Sequence, residues 1–424
     1  MSNKAIQSLK NVISEQKIVL DNKLTIMLCE MPQYNSVYAV YGTNFGSDQK
    51  RFILGDKEYD LPMGVAHFLE HKMFENKEGV DAFSLYAKTG ASANAFTSFE
   101  KTCYLFGATD NIDECLDILL SFVSEPYFTE ENINKEQGII GQEIKMYEDS
   151  PEWRMMFSLL DSMYYNCPCK YDIAGTVDSI SKITKEMLYA CTDAFYRPEN
   201  MVLSIAGNIT LQQVLQACER ANIKTSTQPV KRLREDEPRE IKDKFKSFKM
   251  QIAKPVLGIG YKEKALGTGK EKLKGEMICD IITELIVGDT SNFYSKLYDD
   301  GLINTGFSGE YLLGDDYLAI FFSGETNNPE LVEKMLKQEI KDMRDNGIDV
   351  ENFECIKNVL YGEMISGLER TETIANEMLA SEMQGVKRYD EAEILVNLTV
   401  QDVQNTLANM LLEENSVTVH MLPN

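Results

Sequence analysis

Glu131-Asn-Ile-Asn-Lys-Glu136-Gln-Gly-Ile-Ile-Gly-Gln-Glu143-Ile144 has an echo 220 positions further on, where Glu351-Asn-Phe353 and Glu363-Met364 repeat its two ends. A second echo keeps the same order: Ile183-Thr184, Glu199-Asn200 and Val202 lie over Leu398-Thr399, Glu414-Asn415 and Val417, 215 positions apart. Two echoes in one order predict an α+β chain made of two homologous domains, each a mainly antiparallel sheet with helices packed on it. Facing each other, the copies would enclose a cleft, a preferred place for a ligand.

Working outward, Ile18-Val-Leu-Asp21-Asn22-Lys-Leu-Thr-Ile-Met-Leu28 reads as a hairpin turning at Asp21-Asn22. Residues 37–41 and 201–206 read as strands, and helical spacing runs over 63–74, 112–123 and 132–147. From 224 to 244 the composition shifts to Pro, Ser, Thr and mixed charge (Lys231-Arg-Leu-Arg-Glu-Asp-Glu-Pro-Arg239), which predicts a linker. That divides the chain into a first domain over 1–223 and a second over 245–424. The second domain opens on the strand-like run Lys254-Pro-Val-Leu-Gly-Ile-Gly-Tyr261 and closes on 417–422.

A length of 424 residues suits two or three domains, and 43% apolar residues suffice for their cores. Against 67 Asp+Glu stand 43 Lys+Arg, a net charge of −24, and such an acidic surface repels nucleic acid. The first ten residues hold no apolar core of a signal peptide, and no apolar run approaches the ~18 residues of a membrane span. A cytoplasmic protein without a membrane partner is therefore expected. Nine scattered Cys fit free thiols in a reducing compartment. Cys167-Pro-Cys169 is the one close pair, with no second pair or nearby His to complete a metal site.

The chain has three His, and two of them fall in His67-Phe-Leu-Glu70-His71, inside a helical stretch. Residues four apart on a helix have Cβ atoms about 5–6 Å apart, so both imidazoles can reach one metal ion. Glu70 stands on the same side, close enough to take a proton from a water beside that ion. The order is the inverzincin one, the reverse of the commoner zinc-protease motif. A catalytic zinc takes three protein ligands and keeps one position open. Glu136 and Glu143 lie seven residues apart, two helical turns, and so share a face. Glu143 is assigned as the third ligand, and Glu136 as the carboxylate that orients a ligating imidazole. Ile139 and Ile140 between them are expected to turn the neighbouring stripe toward the core. The third histidine, His420, lies in the apolar closing run and reads as an ordinary packed side chain.

These residues resemble the pitrilysin, insulin-degrading-enzyme and mitochondrial-processing-peptidase family of zinc metallopeptidases. Gly64-Val-Ala-His-Phe-Leu-Glu-His-Lys-Met-Phe74 is similar to the surroundings of that family's zinc helix. Thr89-Gly-Ala-Ser-Ala-Asn-Ala-Phe-Thr97 resembles its substrate-pairing edge strand. Ala174-Gly-Thr-Val-Asp-Ser-Ile-Ser-Lys-Ile-Thr184 and Tyr196-Arg-Pro-Glu-Asn-Met-Val-Leu-Ser-Ile-Ala-Gly207 complete the first unit. The resemblance spans nearly the whole chain and looks like a single two-domain subunit. It implies one Zn²⁺ per chain, held by His67, His71 and Glu143. It also implies a short or unfolded peptide substrate, paired as a β-strand along Ala91, Ser92, Ala93, Asn94 and Ala95. Glu70 would be the general base, returning its proton to the leaving amine.

One departure stands out. Active members usually carry Leu-Arg-x-x-Gly-Leu-x-Tyr in the second unit, and the Arg and Tyr contact substrate. The matching stretch here is Leu297-Tyr298-Asp-Asp-Gly301-Leu302-Ile-Asn304, with Tyr298 in place of Arg and Asn304 in place of Tyr. The second unit also lacks a zinc motif, reading Ile282-Thr-Glu-Leu-Ile286 in the corresponding region. The resemblance thus implies a homodimer, or a heterodimer with a paralogous metal-free subunit that supplies the missing pair. Two other functions share the motif: a non-catalytic scaffold, and a small-molecule zinc lyase of related fold. A scaffold has no use for Glu70, and the lyase is a single short unit.

Overall fold

The computed structural model of the chain describes residues 14–221, 223, 225 and 227–424. The first half holds β1 (Glu15–Val19), β2 (Thr25–Glu30), β3 (Val37–Thr43), β4 (Arg51–Leu54), β5 (Lys57–Asp60), β6 (Ser92–Thr97), β7 (Thr102–Ala108) and β8 (Met201–Gly207). β1 and β2 form the expected hairpin, whose turn is closed by Asn22 Oδ1 accepting from the Leu24 N–H. Six strands join in the order β1-β2-β8-β3-β7-β6, and of these pairs only β2–β8 is parallel.

Further along come β9 (Val230–Leu233), β10 (Phe245–Met250), β11 (Val256–Glu263), β12 (Ser308–Leu313), β13 (Leu318–Glu325) and β14 (Ser416–Pro423). Five of them make a second sheet, β10-β14-β11-β13-β12, again with one parallel pair, β10–β14. Strand for strand this is the path β2-β8-β3-β7-β6, so the echoes in sequence correspond to a repeated topology. β9 lies within the stretch read as a linker and pairs with β4, making a small sheet β5-β4-β9 beside the first half.

Four helices place the site: α1 (Val65–Met73), α2 (Glu130–Glu148), α3 (Pro151–Met163) and α4 (Thr371–Gln384). Successive residues of a strand point to opposite faces of its sheet, and here both faces are apolar. Ile26, Leu28, Tyr41, Leu203 and Ile205 turn into the core of the first half. Their neighbours Met27, Cys29, Val40, Val202 and Ala206 turn the other way, onto Ile374, Ala375, Met378 and Leu379 of α4, a helix of the second half. Buried Ser204 donates its hydroxyl to the Ala375 carbonyl at 2.7 Å across that contact.

The second sheet is treated in the same way. Leu257, Ile259, Leu318, Ile320 and Phe322 face its own core, while Ala319, Phe321, Val417, Val419 and Met421 face Met155, Leu159, Leu160 and Met163 of α3. Gly258 makes room for that helix, since a Cβ there would lie 2.3 Å from Met155 Sδ. The exchanged helices begin 220 residues apart, the offset of the first echo. Each fully buried Leu or Met contributes about 1.5–3 kcal/mol, so parting the halves would expose several such side chains. Among the described residues, no helix is long and apolar enough to cross a membrane.

Candidate metal centre

α1 starts at Gly64, whose φ is +88°, and a Cβ at this position would stand 2.4 Å from the Ala174 carbonyl oxygen. Glycine alone meets both conditions without strain. Ser179 adds a 2.8 Å hydrogen bond to the Met63 carbonyl, so the 174–179 segment fixes the beginning of α1. Val65, Ala66, Phe68, Leu69 and Met73 anchor the helix in the core. Buried His67 and Glu70 and partly buried His71 remain on the side facing α2 and β6.

α2 begins with a capping box, in which Thr129 Oγ1 accepts from the Asn132 N–H and Asn132 Oδ1 accepts from the Thr129 N–H. Its buried side is Ile133, Glu136, Ile140, Gly141 and Ile144. The expectation for the isoleucine pair is therefore half corrected: Ile140 is fully buried, but Ile139 is 49% exposed. Adjacent residues on a helix point about 100° apart, and the inward stripe passes through only one of them.

The two helices bring His67, His71 and Glu143 together, with one donor atom from each lying within 4.8 Å of the others. His67 Nε2 is 3.5 Å from Glu143 Oε1, and His71 Nε2 is 3.6 Å from Glu143 Oε2. The rings are 4.6 Å apart and tilted by 65°, so the nitrogens face a shared space without stacking. Glu136 Oε1 lies 3.1 Å from His71 Nδ1, leaving Nε2 to point at Glu143. Lys72, fully buried, sits between Glu75 at 2.9 Å and Glu136 Oε2 at 3.3 Å. Glu70 Oε2 accepts a 2.6 Å hydrogen bond from Thr97 Oγ1, and Glu143 Oε1 accepts one of 2.8 Å from the Tyr147 phenol.

These contacts push the carboxyls apart in acidity. The bond to His67 is the main cause that holds Glu143 down at about 2. Glu136 is also lowered: burial opposes this, but His71 and Lys72 outweigh it. Glu70 moves the other way, because burial raises it more than Thr97 and the imidazoles lower it. Burial disfavours a charged His71, yet Glu136, Glu70 and Glu143 together carry its pKa above the ordinary value. The cluster thus holds two carboxylates lowered by their cationic neighbours, Glu143 and Glu136, beside one raised by burial, Glu70.

The remaining sequence candidates fall in place as follows. Ser92, Ala93, Asn94 and Ala95 lie on β6 and Ala91 immediately precedes it; β6 ends the sheet order, so its outer edge is unpaired within the sheet. Tyr298 is half exposed, and Asn304 donates its amide to Glu325 Oε2 at 2.8 Å. His420 sits on β14 against Phe245 and Glu333, outside the cluster. Cys167 and Cys169 are both buried with their sulfurs 2.9 Å apart, and among the described residues they belong to no group of three metal donors. Sequence reasoning assigned no role to Lys72, Thr97 or Tyr147. For Tyr147 the i+4 spacing from Glu143 was the available signal; for Lys72 and Thr97 the partners come from other elements.

Residues 57–177 match the family described as Insulinase (Peptidase family M16), and residues 182–360 match the one described as Peptidase M16 inactive domain. The chain is 37% identical over 413 residues to the protein named uncharacterized zinc protease YmfH of Bacillus subtilis (strain 168), covering 95% of each. A crystal structure described as M16-like, from Alicyclobacillus acidocaldarius, shares 32% identity and a TM-score of 0.93, over 97% of this chain and 99% of that one. Pitrilysin has a similar fold, with a TM-score of 0.77 at 16% identity, over 98% of this chain and 45% of its own.

Proposed function

Because the chain belongs to the insulinase family of peptidases, Peptidase family M16, we propose that it is the zinc-bearing subunit of an endopeptidase that cleaves short or unfolded peptides. The observation that carries this reading is the convergence of donor atoms of His67, His71 and Glu143 within 4.8 Å, with the Glu70 carboxylate close enough to feel all three. The donor set fits zinc: two imidazole nitrogens and one carboxylate oxygen are ligands it accepts, and three protein ligands leave a coordination position open. Glu136, bonded to His71 Nδ1, supports the same assignment, because it sets the tautomer that presents Nε2. Zinc bound there would supply Lewis acidity to a water and to the scissile carbonyl.

The chain's own residues do the rest. Thr97 holds Glu70 Oε2, and Glu70 Oε1 takes the proton of the attacking water and later gives it to the leaving nitrogen. Thr97 is also the last residue of β6. A peptide added along Ala91, Ser92, Ala93, Asn94 and Ala95 would therefore be led by its own backbone hydrogen bonds to the residue that holds the base. With Tyr298 and Asn304 in the clamp positions, contacts to the far side of the substrate would come from a partner subunit, either a second copy or a metal-free paralogue.

The test is zinc content and peptide cleavage of the wild type and Glu70→Gln, each alone and with a metal-free paralogous subunit. The expected result is equal zinc in both proteins, cleavage by the wild type that rises with the partner, and none by Glu70→Gln. A wild type that binds zinc but cleaves nothing in either setting would favour the scaffold.

A further inference from the structure

His67 and His71 share one helix, whereas Glu143 reaches the cluster from another and carries a flexible side chain. Its aim depends on what stands behind it. One turn further along α2, the Tyr147 phenol donates to Glu143 Oε1 at 2.8 Å. The Tyr147 ring stacks on Trp153 of α3, with centroids 4.8 Å apart and planes 20° from parallel. Trp153 Nε1 donates to Asp172 Oδ2, and Asp172 Oδ1 accepts from the Ala174 N–H at 2.9 Å. Ala174 is the residue whose carbonyl crowds Gly64 at the start of α1. The contacts run in a closed circuit from Glu143 back to the helix that carries both histidines.

We propose that Tyr147 is a positioning residue for the metal centre: backed by Trp153 and Asp172, its hydroxyl fixes the Glu143 carboxylate in the orientation that faces both imidazoles. The inference rests on the metal-centre reading above and adds a residue to it. The corner between α2 and α3 brings this about. Asp149 and Ser150 separate the helices, and Ser150 caps the second by accepting from the Trp153 N–H, which folds Trp153 back under Tyr147. The later turns of α3 lie on the sheet of the second half, so the support behind Glu143 is itself held by both halves. Trp153 is the only tryptophan in the chain, so its emission reports the surroundings of this one ring, Tyr147 among them.

The experiment is a zinc titration of the full chain, followed by Trp153 emission and by competition with a chromogenic chelator. Tyr147→Phe keeps the ring stack and loses only the hydroxyl. A purely structural role for the ring predicts unchanged affinity. A positioning role predicts zinc binding weaker by about tenfold or more, with the visible bands of a cobalt-substituted sample altered. Trp153→Phe, read by chelator competition, should weaken binding less, by about threefold, because Tyr147 keeps its own bond to Glu143 and only the Trp153–Asp172 bond behind it is lost. Wild-type affinity in both variants overturns the proposal while leaving the metal centre intact; a wild type that binds no zinc overturns both.

Discussion

Thr97 Oγ1 and Glu70 Oε2 are 2.6 Å apart, and this bond joins the end of the sheet's edge strand to the carboxylate between the two histidines. A hydrogen bond to a charged group contributes about 1.5–3 kcal/mol. Thr97→Val removes it without changing volume, so the turnover number should fall by about tenfold or more while zinc content stays the same. Thr97→Ser should restore most of the loss. Steady-state kinetics with metal analysis checks this, and an unchanged turnover number in Thr97→Val would mean that Glu70 is held by other means.

Gly64 has φ +88°, and the Ala174 carbonyl occupies the space a Cβ would need. For Gly64→Ala the left-handed backbone alone costs about 1–2 kcal/mol, and the contact with a backbone atom cannot be relieved by a side-chain rotation. α1 should shift against α2, with zinc affinity reduced by about tenfold. Isothermal titration with zinc, beside urea unfolding, separates the two effects. Full zinc affinity in Gly64→Ala would show that α1 is positioned by its core contacts alone.

Lys72 has no exposed surface and faces Glu75 and Glu136. Removing one member of a buried charge pair costs about 3–5 kcal/mol, because its partner is left uncompensated. Lys72→Met should lower the unfolding free energy by roughly that amount. Lys72→Met combined with Glu136→Gln should recover a good part of the loss, since the two sites are in contact and their effects are not additive. Urea unfolding of the three variants supplies the cycle; strictly additive losses would contradict a direct pairing.

Glu263, the last residue of β11, accepts from the Leu411 N–H at 2.7 Å, and burial pushes its carboxyl up to about 7. A folded-state value above the ordinary 4.5 means that the native protein holds this proton more tightly than the unfolded chain. The resulting stability is fully present below about pH 4.5 and is lost as pH rises through about 7. Glu263→Gln keeps an acceptor for Leu411 and removes the titration. The stability of wild type minus variant should therefore fall across that window by up to about 3 kcal/mol. A pH-independent difference would show that Glu263 ionises normally in the native state.

The histidine pair and Glu70 were legible because a helix brings residues three and four apart onto one side, whatever surrounds it. The duplication was legible because two separate echoes kept their order. Glu143 needed more: its spacing from Glu136 specified a shared face, but that this face meets α1 depends on Gly64 and Ala174 touching across 110 positions of chain. Ile139 shows the limit of such reading, since an apolar residue beside an inward stripe can still face outward.

Local order along the chain was enough to specify the repeated unit and three side chains of the candidate site, because turn chemistry and helical spacing act over a few residues. The exchange of α3 and α4 between the halves, the Lys72 bridge, the Thr97 bond and the Tyr147–Trp153 stack arose only on packing. Apolar periodicity states that a face will be covered, but the covering surface is chosen by long-range shape and by leaving no buried charge alone.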